Sequence, residues 1–385
     1  MFFNISKTLQ DNFPHNHQTK SFVISLDEGW AQTSDAEGNP VWSKGYLDQG
    51  DLKAKLLDIV KETVPEHSGN FCVIRVTDDC VNIRSDKERS FPIWTSAESV
   101  TNLVRSDNTI WADDVIDIDQ NFNISHHYFD VIGPTSNTIN SFEDVVDQID
   151  QLLTNKAQTF LSTLNSPIKV FLSGGIDTAL VFSYIEKYAS DYEIVNSFHC
   201  DFDYFFLKNH GTLANHWGYG QIHHWRNSCV LASGAPGDEY MMRSPTTANL
   251  MLKHYGTSIP ELLNGAYGDC LHSIYFNNPK YFSMWAEQTV EDVDLASMIK
   301  FCANYNINDW QHWHFGNTLT WTPLRDVEIF KLVASLPFGA LREQVMNSKL
   351  SIELIRRNNP KILSYLSTKK NSENYLENLV SFYCK

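Results

Sequence analysis

The chain has 385 residues, with 30 Lys+Arg against 46 Asp+Glu and a net charge of −16. Hydrophobic residues make up 42% and charged residues 20%, enough apolar material for a sizeable core, which excludes global disorder. The acidic balance argues against duplex nucleic acid as a partner, whose phosphates need clustered Lys and Arg, but not against an anion held by backbone N–H groups and a divalent metal.

At about 100–200 residues per domain, the length predicts two domains or three. The first part, to about residue 135, reads as short strands and turns. Ser21–Leu26 alternates polar and apolar residues as a half-buried strand does. Glu37–Gly38–Asn39–Pro40 is a turn cluster, and Asp51–Val64 carries apolar residues at helical spacing. Phe71–Val76 and Cys80–Arg84 are two more strands, joined by Thr77–Asp78–Asp79. The expectation is an α+β layer domain rich in hairpins.

Ile132–Thr138 is the best linker candidate, which places the join between domains near 132–165. Ser141–Thr163 opens with Ser–Phe–Glu–Asp and keeps a helical apolar stripe, so a helix with a Ser N-cap is predicted. Strand and helix signals then alternate: Ile168–Leu172 a buried strand, Asp177–Tyr188 a helix, Glu193–His199 a strand, Asn209–Tyr219 a helix. That rhythm predicts a parallel, doubly wound sheet. From Val290 to Cys384 the pattern is mostly helical. No apolar run approaches the roughly 20 residues of a membrane-spanning helix, and MFFNISKTLQDNF lacks the layout of a signal peptide. The seven cysteines are scattered and form no C-x-x-C, so reduced thiols, no structural zinc, no membrane and a cytoplasmic location are expected.

The chemistry concentrates in Val170–Thr178. A buried strand ends at Leu172, Gly174 and Gly175 turn the chain tightly, and a helix starts. Successive N–H groups at such a junction form an anion nest, and the helix dipole adds positive potential. Ser173 and Thr178 are placed to donate hydroxyl bonds to phosphate, and Asp177 belongs there if it holds Mg²⁺. The spacing is neither the kinase-type P-loop nor the dinucleotide glycine motif.

This S-G-G-x-D-[ST] segment resembles the signature of N-type ATP pyrophosphatases, which cleave ATP between the α and β phosphates. Further segments resemble the asparagine synthetase branch and its β-lactam synthetase-like relatives: Leu262–Asp269, Thr322–Asp326 with Phe330–Pro337, and Lys349–Lys370. Gly69–Phe71 with Ser90–Trp94 resembles the glutaminase-type domain of that family. The resemblance implies residues 1–135 as a degenerate, sandwich-like N-terminal nucleophile domain and residues 136–385 as the ATP pyrophosphatase domain, with a helical C-terminus. It implies Leu172, Ser173, Gly174, Gly175, Asp177, Thr178, Asn264 and Gly265 as ATP-binding residues. Asp177 and Asp269 would hold Mg²⁺, and Lys369 or Lys370 would stabilise the reacting phosphate. Tyr267 is a candidate helper of a base, with packing as the plainer alternative.

Departures from the family are equally informative. Phe2 stands where its glutaminase needs an N-terminal cysteine, so no glutaminase activity is expected. Ala266 and Cys270 replace acids of asparagine synthetases. The implied function is an amide-forming ligase that adenylates a carboxylate and passes the acyl group to an amine; an ammonia-dependent asparagine synthetase and a nucleotide-binding pseudoenzyme stay open. A homodimer is compatible with the chain. Ser233–Glu239 matches S-G-x-G-x-D-E by residue type slightly better than 264–270, but it precedes Arg243–Tyr255, a stretch that comes before the loop in the family. It is read as a solvent-exposed Gly/Pro turn, with a lid as the functional alternative. His223, His224, His312 and His314 are read as aromatic packing, and Arg356–Arg357 as a solvated helix face with a phosphate-facing role as the alternative.

Overall fold

A computed structural model describes residues 3–9, 13–88, 91, 93–102, 110–111, 115–127, 138–164, 166–172, 175–196, 229–234, 237–242 and 319–364. The protein is mixed α/β with several sheets, one of them parallel. Among the described residues no helix is long and apolar enough to cross a membrane. Cys72 and Cys229 are buried and Cys80 is half-buried.

Among the described residues, twelve strands precede residue 128: β1 Phe3–Ser6, β2 His15–Gln18, β3 Val23–Leu26, β4 Ala31–Ser34, β5 Pro40–Leu47, β6 Gly69–Val76, β7 Cys80–Ser85, β8 Trp94–Thr95, β9 Ser99–Thr101, β10 Ile110–Trp111, β11 Val115–Asp119 and β12 Ile124–His127. They form two antiparallel six-stranded sheets, ordered β10-β8-β9-β1-β3-β2 and β12-β11-β7-β6-β5-β4. The sheets share one apolar cluster, with Phe3, Ile5 and Ile24 from the first and Ile74, Ile83 and Ile116 from the second. Side chains alternate along a strand, so β6 serves two cores. Cys72, Ile74 and Val76 enter the sandwich, whereas Phe71 and Val73 meet Leu52, Leu56 and Ile59 of helix α1, Leu52–Ile59. The run FCVIRV is therefore apolar on both faces because both faces are covered. The turn cluster at 37–40 closes the β4–β5 hairpin, with Gly38 at φ +85° and the Asp35 carboxylate accepting the Glu37 and Asn39 N–H groups.

The linker candidate at 132–137 lies outside the described residues, as do Phe2 and the helices expected at 209–219 and 247–255. Helix α2, Phe142–Thr163, is capped by the Ser141 hydroxyl, which accepts from the Asp144 N–H at 3.1 Å. Strand β13 (Ile168–Leu172), helix α3 (Ile176–Tyr188) and strand β14 (Glu193–Asn196) follow as the periodicity predicts. Next come β15, Val230–Ala232, the short helix α4, Gly237–Tyr240, and β16, Thr320–Trp321. Within the stretch read as mostly helical from 290, β16 is a two-residue strand that pairs with β15, a tertiary partner that local pattern does not reveal. Helices α5 (Val327–Ala334), α6 (Phe338–Asn347) and α7 (Lys349–Asn358) and a 3-10 turn at Pro360–Ser364 complete the described part. The parallel sheet is ordered β14-β13-β15-β16. α2 packs on α3, α5 and α7, so these helices form one layer.

The sandwich and the parallel sheet are tied together by a buried ion triad. The Lys156 ammonium, on α2, lies 2.5 Å from Asp48 at the end of β5 and 2.8 Å from Asp326, the N-cap of α5. Burial disfavours the ammonium, but Asp326 and Asp48 outweigh it and hold the lysine pKa above its ordinary value. Burial likewise raises the Asp326 pKa, and Lys156 outweighs it and holds the carboxyl below the usual range. Lys156→Met leaves two carboxylates buried without their cation. It is expected to cost about 3–5 kcal/mol in denaturant unfolding at neutral pH. Because the Asp326 pKa is depressed in the fold, its contribution exists above the ordinary value of 3.8 and fades as pH falls through the folded one. The gap between wild type and variant should therefore narrow in acid; a gap below about 1 kcal/mol at pH 7 would contradict the triad's role.

Candidate functional site

In the parallel sheet, the chain leaves β13 through α3 to β14 on one side, then crosses to β15 on the other. Connections thus reverse direction between β13 and β15, and adjacent parallel strands bring their carboxyl-end loops together at that point. Open α/β sheets bind ligands in the crevice at such a reversal. Here the two loops are those after Leu172 and after Ala232.

The first loop opens onto α3. Its N-cap, Gly175, has extended backbone and no side-chain cap, and Asp177 lies in the first turn, half-buried. The N-terminal N–H groups of α3 are therefore not spent on a capping side chain at position 175. Ser173 and Gly174 lie outside the described residues, and Leu172 ends β13. The Thr178 hydroxyl donates to the Gly175 carbonyl at 2.9 Å, and the residue is buried.

The described residues 233, 234 and 237 of the second loop are buried, which contradicts the reading of a solvent-exposed turn at those positions. Ser233 is buried, and its N–H donates to the Trp321 carbonyl at 3.0 Å. A Cβ added at Gly234 would sit 2.2 Å from the Asp177 carbonyl carbon and 2.3 Å from the Thr178 nitrogen. One added at Gly237 would sit 2.7 Å from the Asp177 Cγ and 2.7 Å from Leu324 Cδ1. Gly234 meets the backbone of the first loop, whereas Gly237 lies against the Asp177 and Leu324 side chains. The Gly237 N–H donates to the Gly234 carbonyl at 2.7 Å, closing the turn, and α4 starts there. The signal was present in the sequence: Val230–Leu231–Ala232 before Ser–Gly repeats the strand-then-glycine layout of 168–175.

Behind α4 the packing is specific. Tyr240, Met241 and Met242 are buried, and Met242 adopts φ +52°. Buried Gln344 of α6 donates from Nε2 to the Met241 carbonyl at 2.9 Å and accepts the Leu350 N–H at 2.7 Å, so both ends of the amide are used. Burial pushes the Tyr240 phenol pKa up, against the nearby Arg325, so it keeps its proton. Thr322–Asp326 borders the cradle through Leu324, and Asp326 accepts the Glu328 N–H as helix cap.

Asn264, Gly265, Tyr267, Asp269, Lys369 and Lys370 lie outside the described residues, as do the four histidines. The phosphate-facing alternative for Arg356–Arg357 is not what the structure shows: Arg357 pairs with Glu143, Asp147 and Glu353, and Arg356 with Glu353, fastening α7 to α2. Among the described residues no three His, Cys, Asp or Glu converge as a metal site. Compared with protein-family models the chain matches none, and no curated protein matches it.

Gly234→Ala is expected to cost about 1–3 kcal/mol through overpacking. Gly339→Ala, on α6 with open space around it, should be neutral or stabilising. Equal effects of the two in denaturant unfolding would contradict the close approach of the loops.

Proposed function

We propose that the chain is an AMP-forming ligase that adenylates a carboxylate, releases diphosphate and transfers the acyl group to an amine. The observation that carries this reading is the contact of the Ser233–Gly237 loop with the Asp177–Thr178 turn at the reversal point of the parallel sheet. A glycine-bounded cradle beside a helix N-terminus without a side-chain cap suits a polyphosphate. The fit extends to Mg²⁺, which takes one or two carboxylates and completes its shell with water and phosphate oxygens. Asp177 is one such carboxylate. The family resemblance assigns the second carboxylate to Asp269. Bound there, the metal would offset charge on the leaving diphosphate.

The protein's own part is positional. Peptide N–H groups of the first loop and of the α3 terminus orient the phosphates so that a substrate carboxylate oxygen lies in line with the α-phosphorus. The P–O bond to diphosphate breaks as the carboxylate–phosphorus bond forms. The amine then attacks the acyl carbon, loses a proton, and AMP leaves. Residues 1–135 are read as a glutaminase-type relic and residues 136–385 as the synthetase domain, with Lys369 or Lys370 as the cation at the reacting phosphate. A cytoplasmic location with no membrane and no duplex nucleic acid partner completes the reading; a homodimer remains compatible with it.

Diphosphate release from ATP and Mg²⁺, measured over a panel of carboxylates and amines, tests the reading directly. Asp177→Asn and Asp269→Asn should each lower kcat/KM by about 100-fold or more. ADP and orthophosphate as products, or glutamine hydrolysis above background, would contradict it.

A further inference from the structure

The antiparallel sandwich reaches the cradle through two side chains. The Tyr46 hydroxyl donates to the Thr320 carbonyl at 2.7 Å. Asn70 donates from Nδ2 to the same carbonyl at 3.2 Å and to the Thr320 hydroxyl oxygen at 3.0 Å. Successive carbonyls of a strand point to opposite sides. The Thr320 carbonyl thus faces the sandwich, while the Trp321 carbonyl accepts the Ser233 N–H at 3.0 Å. One residue further, Gly234 lies against Asp177. Strand β16 is clamped between the sandwich on one edge and the second loop on the other.

Three further facts fit the clamp. The Tyr46 ring packs on Phe160 at 5.3 Å between centroids, and Phe160 stacks on Trp321 at 4.7 Å and 7°, so the aromatic column follows the hydrogen bonds. Burial and the nearby Asp48 and Asp86 push the Tyr46 pKa well up, so the donor keeps its proton. The Asn70 Oδ1 is buried and finds no hydrogen-bond partner among the described residues, a cost that a merely space-filling side chain would not carry.

We propose that Tyr46 and Asn70 are positioning residues for the phosphate cradle, acting through Thr320, Trp321 and Ser233. The sandwich then has a use that requires no nucleophile. The inference rests on the reading of that cradle as an ATP site, so the test has two arms. In the nucleotide-free protein, Tyr46→Phe, Asn70→Ala and the double variant should speed amide hydrogen exchange in residues 230–240. Val81→Ala, which loosens the sandwich core away from the clamp, should not. With ATP and Mg²⁺ in a calorimetric titration, each single variant should raise Kd about fivefold and the double variant more than tenfold, with Val81→Ala within about twofold of wild type. Unchanged exchange in the variants, or equal exchange and Kd changes in Val81→Ala, overturns the clamp. Faster exchange in a protein that binds no ATP keeps the clamp and overturns the ATP reading instead.

Discussion

The site depends on one steric constraint, the backbone contact between Gly234 and the Asp177–Thr178 peptide. A single methyl group at 234 would lie 2.2 Å from the Asp177 carbonyl carbon. That distance fixes the loop after β15 against the loop after β13, and it does so where strand connections reverse. Each neighbouring feature serves this contact. Thr178 turns its hydroxyl inward to hold the Gly175 carbonyl, and Gln344 fixes the far end of the second loop at Met241.

Charge is distributed to match. The chain carries a net charge of −16, and several of its described cations are committed to structure. Lys156 is held between Asp48 and Asp326, Arg84 bonds Asp117 and the Glu62, Ile83 and Ile116 carbonyls, and Arg357 bridges α7 to α2. In the proposed reading, an anion at the cradle would be held by peptide N–H groups and the α3 dipole, which bring no desolvated side-chain charge of their own. The buried triad also explains why the sandwich cannot be regarded as an appendage: removing Asp48 from Lys156 would strip the α5 cap region of part of its charge balance.

Elements with strong local signals were legible in the sequence. The Ser141 cap, the strand–glycine–helix layout at 168–178 and the 71–85 hairpin appear where periodicity puts them. Features that depend on distant partners were not. Strand β16 has two residues and exists because β15 lies beside it; Tyr46, Asn70 and Lys156 meet partners 274, 250 and 108 residues away. The second loop was visible as a motif, yet its place in chain order argued for an exposed turn. Its burial follows from strand order, since β15 neighbours β13 rather than β14, and no local spacing encodes that order.

The central claim is that the loops after β13 and β15 together form one phosphate cradle. Crystals grown with ATP and Mg²⁺ test it most directly. The account predicts triphosphate density against residues 173–178 and 233–237, with metal density between the phosphates and Asp177. Phosphate density contacting residues 264–270 while 233–237 stays clear of the ligand, or nucleotide bound away from the β13–β15 crevice, would contradict it.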